Sequence, residues 1–160
     1  MANGGLYCFD TSSLLAAWKE LYPIDHFPAL WEHLASLVTA ERAIAPIEVR
    51  HELQRRDDGL FKWLKDNKAI FIEVDEPVQI RQRNILAKHP RLVDARETHF
   101  AADPWVIALA LERGAAVVTD ERPSTRAHRP NIPDVCADAA FERPCFSVLE
   151  VIRREKWVYK

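Results

Sequence analysis

The stretch LYCFDTSSLLAAW, residues 6–18, carries the reading on which the fold turns. Leu6 to Phe9 is apolar and suits a buried strand, and Asp10 breaks it. Thr11, Ser12 and Ser13 have oxygens that can accept from helix N–H groups, and Leu14, Leu15, Trp18 and Leu21 then recur at helical spacing. A short strand therefore gives way at once to a helix, with Asp10 at the strand's C-terminal edge. In open α/β sheets that edge is where ligands bind.

The same alternation continues outward. Pro28 to Arg42 reads as a helix with Leu30, Trp31, Leu34, Leu37 and Val38 inward, and Ala43 to Ala45 as a short buried strand. Pro46 suits the first turn of a helix, which the pattern continues through LFKWLKDN. Ala69 to Val74 reads as a strand, and Asp75 to Lys88 as a helix with Val78, Ile85 and Leu86 apolar. A loop leads to HFAADPWVIALALERG, where Asp103-Pro104 signals a helix start and Gly114 a stop. AAVVT is a strand ending at Asp120-Glu121, DVCA a candidate last strand, and Ser147 to Glu155 the final helix. Strands alternating with helices predict a three-layer α/β/α sandwich around a mostly parallel sheet.

Composition narrows the class. The chain has 160 residues, 48% of them apolar and 29% charged, which fits one globular domain over 1–160 with an extension from about 138. No apolar run approaches the roughly 20 residues of a membrane span. The N-terminal stretch lacks a basic segment followed by an apolar one, so no signal peptide or membrane association is expected. Cys8, Cys136 and Cys145 form no CxxC pair, and their odd number argues for a reducing cytoplasm over a disulfide framework. The net charge of −2 leaves nucleic-acid binding to local patches. RPSTRAHRP, with Arg122, Arg126 and Arg129, is one candidate, and the C-terminal RREKWVYK the other.

Asp10 ends one strand, Asp103 opens a helix, and Asp120 and Glu121 follow another strand, so all face one edge of the sheet. Glu52 lies on the helix after Pro46, one turn beyond Glu48 on the same face. Carboxylates brought together repel and raise one another's pKa unless a cation neutralises them. An all-oxygen set favours Mg²⁺ or Mn²⁺, ions that promote hydrolysis of phosphodiesters.

This arrangement resembles the PIN domains, metal-dependent nucleases that include the VapC-type toxins. The matching pieces are YCFDTSSL, PIEVRHEL, ADPWVIALA and VVTDE, in the family's order from residue 6 to about 137. The resemblance implies a Mg²⁺ or Mn²⁺ site, RNA as substrate, a homodimer and an antitoxin protein as partner. Asp10, Glu52 and Asp103 fall on the family's acidic positions, with Ser12 and Thr119 on its hydroxyl positions. In the fourth motif the family's Thr-x-Asp puts Glu121 in register, with Asp120 as the alternative. The expectation is a metal-dependent endoribonuclease, the toxin of a bacterial toxin–antitoxin pair, with Arg122, Arg126 and Arg129 on RNA phosphates.

Plainer roles compete for each residue. Asp10 and Asp103 can cap helices, Glu52 can pair with Arg55 or Arg56, and Asp120 and Glu121 can be solvated loop acids. Trp18, Trp31, Trp63 and Trp105 read as core or interface, and the six histidines show no metal-ligand spacing. A catalytically weak or inactive PIN-like module that binds RNA or protein is the rival function. A phosphatase of the haloacid type would need an acid where Ser12 stands, and the four glycines form no phosphate-cradling loop.

Overall fold

A computed structural model describes residues 4–93, 101–126 and 128–159. Its core is a five-stranded, all-parallel sheet in the order β3-β2-β1-β4-β5. The strands are β1 Tyr7–Phe9, β2 Ala43–Pro46, β3 Phe71–Ile72, β4 Ala116–Val118 and β5 Cys145–Phe146. The helices are α1 Thr11–Ala16, α2 Pro28–Thr39, α3 Ile47–Gln54, α4 Asp58–Asp66, α5 Glu76–Lys88, α6 Asp103–Arg113, α7 Ile132–Ala137 and α8 Val148–Glu155.

Strand order fixes the layers. The chain steps outward from β1 to β2 to β3, then returns across β1 to β4 and β5. Right-handed crossovers put the outward-step helices α1–α4 on one face and the returning α5–α7 on the other. Side chains of β1 confirm this by alternation. Cys8 donates its thiol to the Val106 carbonyl on α6, while Phe9 lines a small apolar pocket with Leu14, Leu34, Val38 and Trp63 on the opposite face. Because the order reverses at β1, the crevice between the C-terminal ends of β1 and β4 is the sheet's topological switch point.

The first face is filled by aromatic packing. Trp31 is 1% exposed and lies edge-on to Trp18 at 4.9 Å and to Trp63 at 5.0 Å between centroids. Its indole N–H donates to the Tyr22 carbonyl at 2.8 Å, so burial leaves no polar atom unpaired. Trp105 packs against the core from α6, so the four tryptophans read as core take that part. Leu30, Trp31, Leu34, Leu37 and Val38 are all buried on α2, as their spacing predicts.

At the N-terminal edge of the sheet, β1 is tied to α8. The Tyr7 hydroxyl donates to Glu155 Oε2 at 2.6 Å, and Arg42 Nη2 donates to the same oxygen at 2.7 Å. Burial and this bond to Glu155 push the Tyr7 phenol up to about 12. Beyond α8, Trp157 stacks on His33 of α2 at 4.9 Å and Tyr159 bonds the same imidazole at 2.9 Å. The C-terminal basic patch therefore belongs in part to the packing.

Four expectations change. The helix after Pro46 is two helices, because Asp57 accepts from Leu60 N at 2.9 Å and starts α4 anew. The strand at 69–74 shrinks to Phe71–Ile72 behind a 3₁₀ turn at Lys68–Ile70. DVCA is helical: Asn131 N donates to Asp134 Oδ2 at 2.8 Å, and Ile132, Val135 and Cys136 bury one helical face. The last strand is instead β5, whose two residues are too few to show alternation. The loop expected before Asp103, with His99, lies largely outside the described residues.

Truncating Trp31 to Ala should lower stability by about 3–5 kcal/mol, read as a drop in the urea midpoint with an unchanged slope.

Candidate metal centre

Asp10 stands at the switch point, directly after β1, and is 1% exposed. Its two oxygens have separate duties. Oδ1 accepts from Ser13 N at 2.7 Å and caps α1, so the capping role is real. Oδ2 accepts from the hydroxyls of Ser12 at 2.8 Å and Thr119 at 2.6 Å. Each hydroxyl has one hydrogen to give. With both directed at Asp10, their oxygens are free to accept, and they do: Ser12 Oγ from Asp120 N at 3.1 Å and Thr119 Oγ1 from Glu121 N at 3.0 Å. The turn after β4 is thus held to the end of β1 through one carboxylate oxygen.

That turn delivers Glu121, not Asp120. Carboxylate oxygens of Asp10, Asp103 and Glu121 lie within 4.8 Å of one another. Asp120 is exposed and stands outside this group. Glu121 Oε2 also accepts from Ile132 N at 3.1 Å, which fixes the turn against α7. Asp103 comes from α6, where it is the first helical residue and Ala102 is the N-cap, so the competing capping role is not the one it fills.

Glu52 lines the same pocket as Asp103 and Glu121 and makes a backbone contact there. Its Oε1 accepts from Ala102 N at 2.7 Å, next to Asp103, and it is not among the three gathered carboxylates. Glu52 therefore positions the start of α6 while remaining near enough to repel Glu121. Burial raises the carboxyl pKa of Asp10 above the ordinary range, against the lowering effect of its hydrogen bonds from Thr119, Ser13 and Ser12. Burial also raises Glu121, with the charges of Asp10, Asp134 and Glu52 adding to it.

Asp103 and Glu121 line a pocket of about 190 Å³ with Thr11, Ser12, Glu52 and Arg56, and the buried Asp10 carboxylate stands within 4.8 Å of both acids. Thr11 is 6% exposed, and its Oγ1 is a buried oxygen with no hydrogen-bond partner. Asp10 has no cationic side chain paired to it among the described residues. A buried carboxylate with neither a cation nor free water is costly. An all-oxygen set with an orphaned hydroxyl beside it fits a hard divalent cation, whose charge would remove the repulsion. Sequence reading passed over Thr11 and Arg56. Thr11 looked like one of three interchangeable capping residues, and Arg56 like an ion-pair partner of Glu52.

The model of a domain of unknown function, DUF4411, matches residues 7–159. The chain belongs to the DUF4411 family. No curated protein matches it. The DUF4411 match runs through all five strands and α8, so it takes in every element that builds the pocket. No helix among the described residues of this DUF4411 chain is long and apolar enough to cross a membrane.

The raised acids set a sign for pH dependence. A carboxyl whose folded pKa exceeds its unfolded value stabilises the fold below both values and loses that contribution as pH rises through the folded one. In metal-free buffer, Glu121→Gln should therefore melt higher than native protein at about pH 8, with the gain vanishing near about pH 4. Melting curves across that range check it.

Proposed function

We propose that this chain is a metal-dependent endoribonuclease, with Mg²⁺ or Mn²⁺ held by Asp10, Asp103 and Glu121. The observation that carries the reading is the convergence of those three carboxylates within 4.8 Å at the sheet's switch point. The parallel α/β sheet and the order of the four acidic motifs favour a PIN-like nuclease over other hydrolases with acidic sites. A divalent cation there would supply charge neutralisation and the acidification of water that phosphodiester hydrolysis needs.

The protein's own groups have distinct duties in this reading. The hydroxyls of Ser12 and Thr119 hold Oδ2 of Asp10 in one orientation and pin the turn that carries Glu121. Glu52 holds the backbone from which Asp103 projects. Arg56, at the pocket wall, supplies a guanidinium that can take a phosphate oxygen in bidentate fashion. Arg122, Arg126 and Arg129 line a shallow pocket beyond Glu121, where RNA phosphates would lie. A toxin role, with a homodimer and an antitoxin that blocks the acidic pocket, follows from the same family resemblance.

Glu52 also gives the rival reading its footing. With Glu52 engaged by Ala102 N, three carboxylates remain for the ion, as suits a PIN-like module that binds RNA without cutting it. A metal titration paired with a cleavage assay separates the two. Calorimetric addition of Mn²⁺ should give saturable binding to native protein and little or none to Asp103→Asn. Cleavage of a mixed-sequence RNA should need the metal, stop with chelator and fall at least about 100-fold in Asp103→Asn, since loss of a key electrostatic group costs on the order of 10²–10³. Metal binding without cleavage would favour the binding module; no metal binding by native protein would sink the metal reading.

In the same assay Arg56→Ala should bind Mn²⁺ as native does while cleaving on the order of 10-fold more slowly, because a charge-assisted phosphate contact contributes about 1.5–3 kcal/mol.

A further inference from the structure

Two chain segments link the acidic pocket to a second, larger one. Leu92 and Val93 line the acidic pocket, and Arg91, immediately before them, lines the other. Glu121 lines the acidic pocket, and Ser124 and Arg126 line the other. Three residues of chain reach at most about 11 Å, so Glu121 and Ser124 are separated by no more than about three rises of a nucleic-acid strand at ~3.4 Å each.

The second pocket, of about 440 Å³, has a wall of one predominant charge. Lys88, His89 and Arg91 come from the end of α5 and the turn after it, and Arg126 and His128 from the loop after β4. Among the described residues Asp134 is the one acid lining it. Its Oδ2 is occupied by Ser124 N and Asn131 N, both at 2.8 Å, so it shapes the loop. Outside the cleft lining, Asp138 binds Lys88 at 2.8 Å and His89 at 2.7 Å, which anchors the end of α5. Arg91 and Arg126 have no ion-pair or side-chain hydrogen-bond partner among the described residues.

Two guanidiniums on one cleft without a counter-ion repel each other and are satisfied by an anion between them. The planar forks match phosphate oxygens. Among the described residues no Phe, Tyr or Trp lines the cleft, so these residues offer a grip on a backbone and not a base-stacking platform.

We propose that the cleft between the end of α5 and the loop after β4 seats the phosphodiester backbone of the nucleic-acid strand entering the acidic pocket, with Arg91 and Arg126 as its phosphate ligands. This rests on the nuclease reading for the fate of the strand, but not for its binding. The cleft makes the hold on the strand independent of base sequence on this side of the pocket. It also joins residues from two distant parts of the chain, the end of α5 and the loop after β4, into one grip.

The test is fluorescence anisotropy with labelled 20-nucleotide single strands of RNA and of DNA, in chelator so that nothing is cut, at several salt concentrations. The proteins are native, Arg91→Gln/Arg126→Gln, and Arg83→Gln/Arg113→Gln as a charge-matched control lying outside the cleft. Loss of two phosphate contacts should reduce the slope of log affinity against log salt by about 1.4 and weaken binding at least about 10-fold, with the control unchanged. Loss on RNA alone identifies RNA as the source of the phosphates; loss on both strands assigns the cleft to either. Equal affinity and slope in native and cleft variant, or no binding by native protein, overturns the proposal. Mn²⁺ calorimetry on the same cleft variant keeps the metal reading separate: native-like ion binding is expected there whatever the oligonucleotides do.

Discussion

The site depends on one buried carboxylate oxygen. Asp10 Oδ2 accepts from hydroxyls that belong to opposite sides of the switch point, Ser12 after β1 and Thr119 after β4. Those hydroxyls in turn accept from the backbone of Asp120 and Glu121. A hydrogen bond to a charged group contributes about 1.5–3 kcal/mol, so two of them make this corner stiff. The same bonds lower the cost of keeping Asp10 ionised without cancelling it, and its pKa remains raised. The fold thus retains an electrostatic stress at the place where a cation would relieve it.

Around that corner the pocket is assembled from parts with separate supports. Asp103 owes its place to the start of α6, held by Glu52 through Ala102 N. Glu121 is held through Thr119 and through Ile132 N of α7. Neither support comes from the sheet's own ladder. The strands set the distance between the acids, and side-chain bonds to backbone set their direction.

Much of this was legible in the sequence because burial and chemistry coincide at the strand ends. The apolar runs at Leu6–Phe9 and AAVVT locate β1 and β4, and an acid directly after each must lie at the sheet's edge. The five buried residues of α2 follow a plain helical period. Other features obey contacts that spacing does not encode. Glu52 matches its motif yet turns to a backbone amide 50 residues away. DVCA has strand-like residues, but the backbone bonds of Asp134 commit it to a helix. β5 becomes a strand only because β4 offers it an open edge, at Val117 and Val118. Arg56 gains a role from the pocket it borders, which sequence distance does not reveal.

The bond between Tyr7 and Glu155 spans 148 residues, and β1 pairs with β4 across more than a hundred positions. Contacts of such separation slow folding, since loop closure is paid for before the contact forms. During synthesis β1 emerges early, with Tyr7, Cys8 and Phe9 all destined for the interior. It must wait for β4 before its second edge is covered, and for α8 before Tyr7 finds its acceptor. The nascent chain therefore carries an uncovered apolar strand while most of the domain is still being made. The central strand, buried throughout in the finished protein, is exposed to aggregation until those later elements arrive.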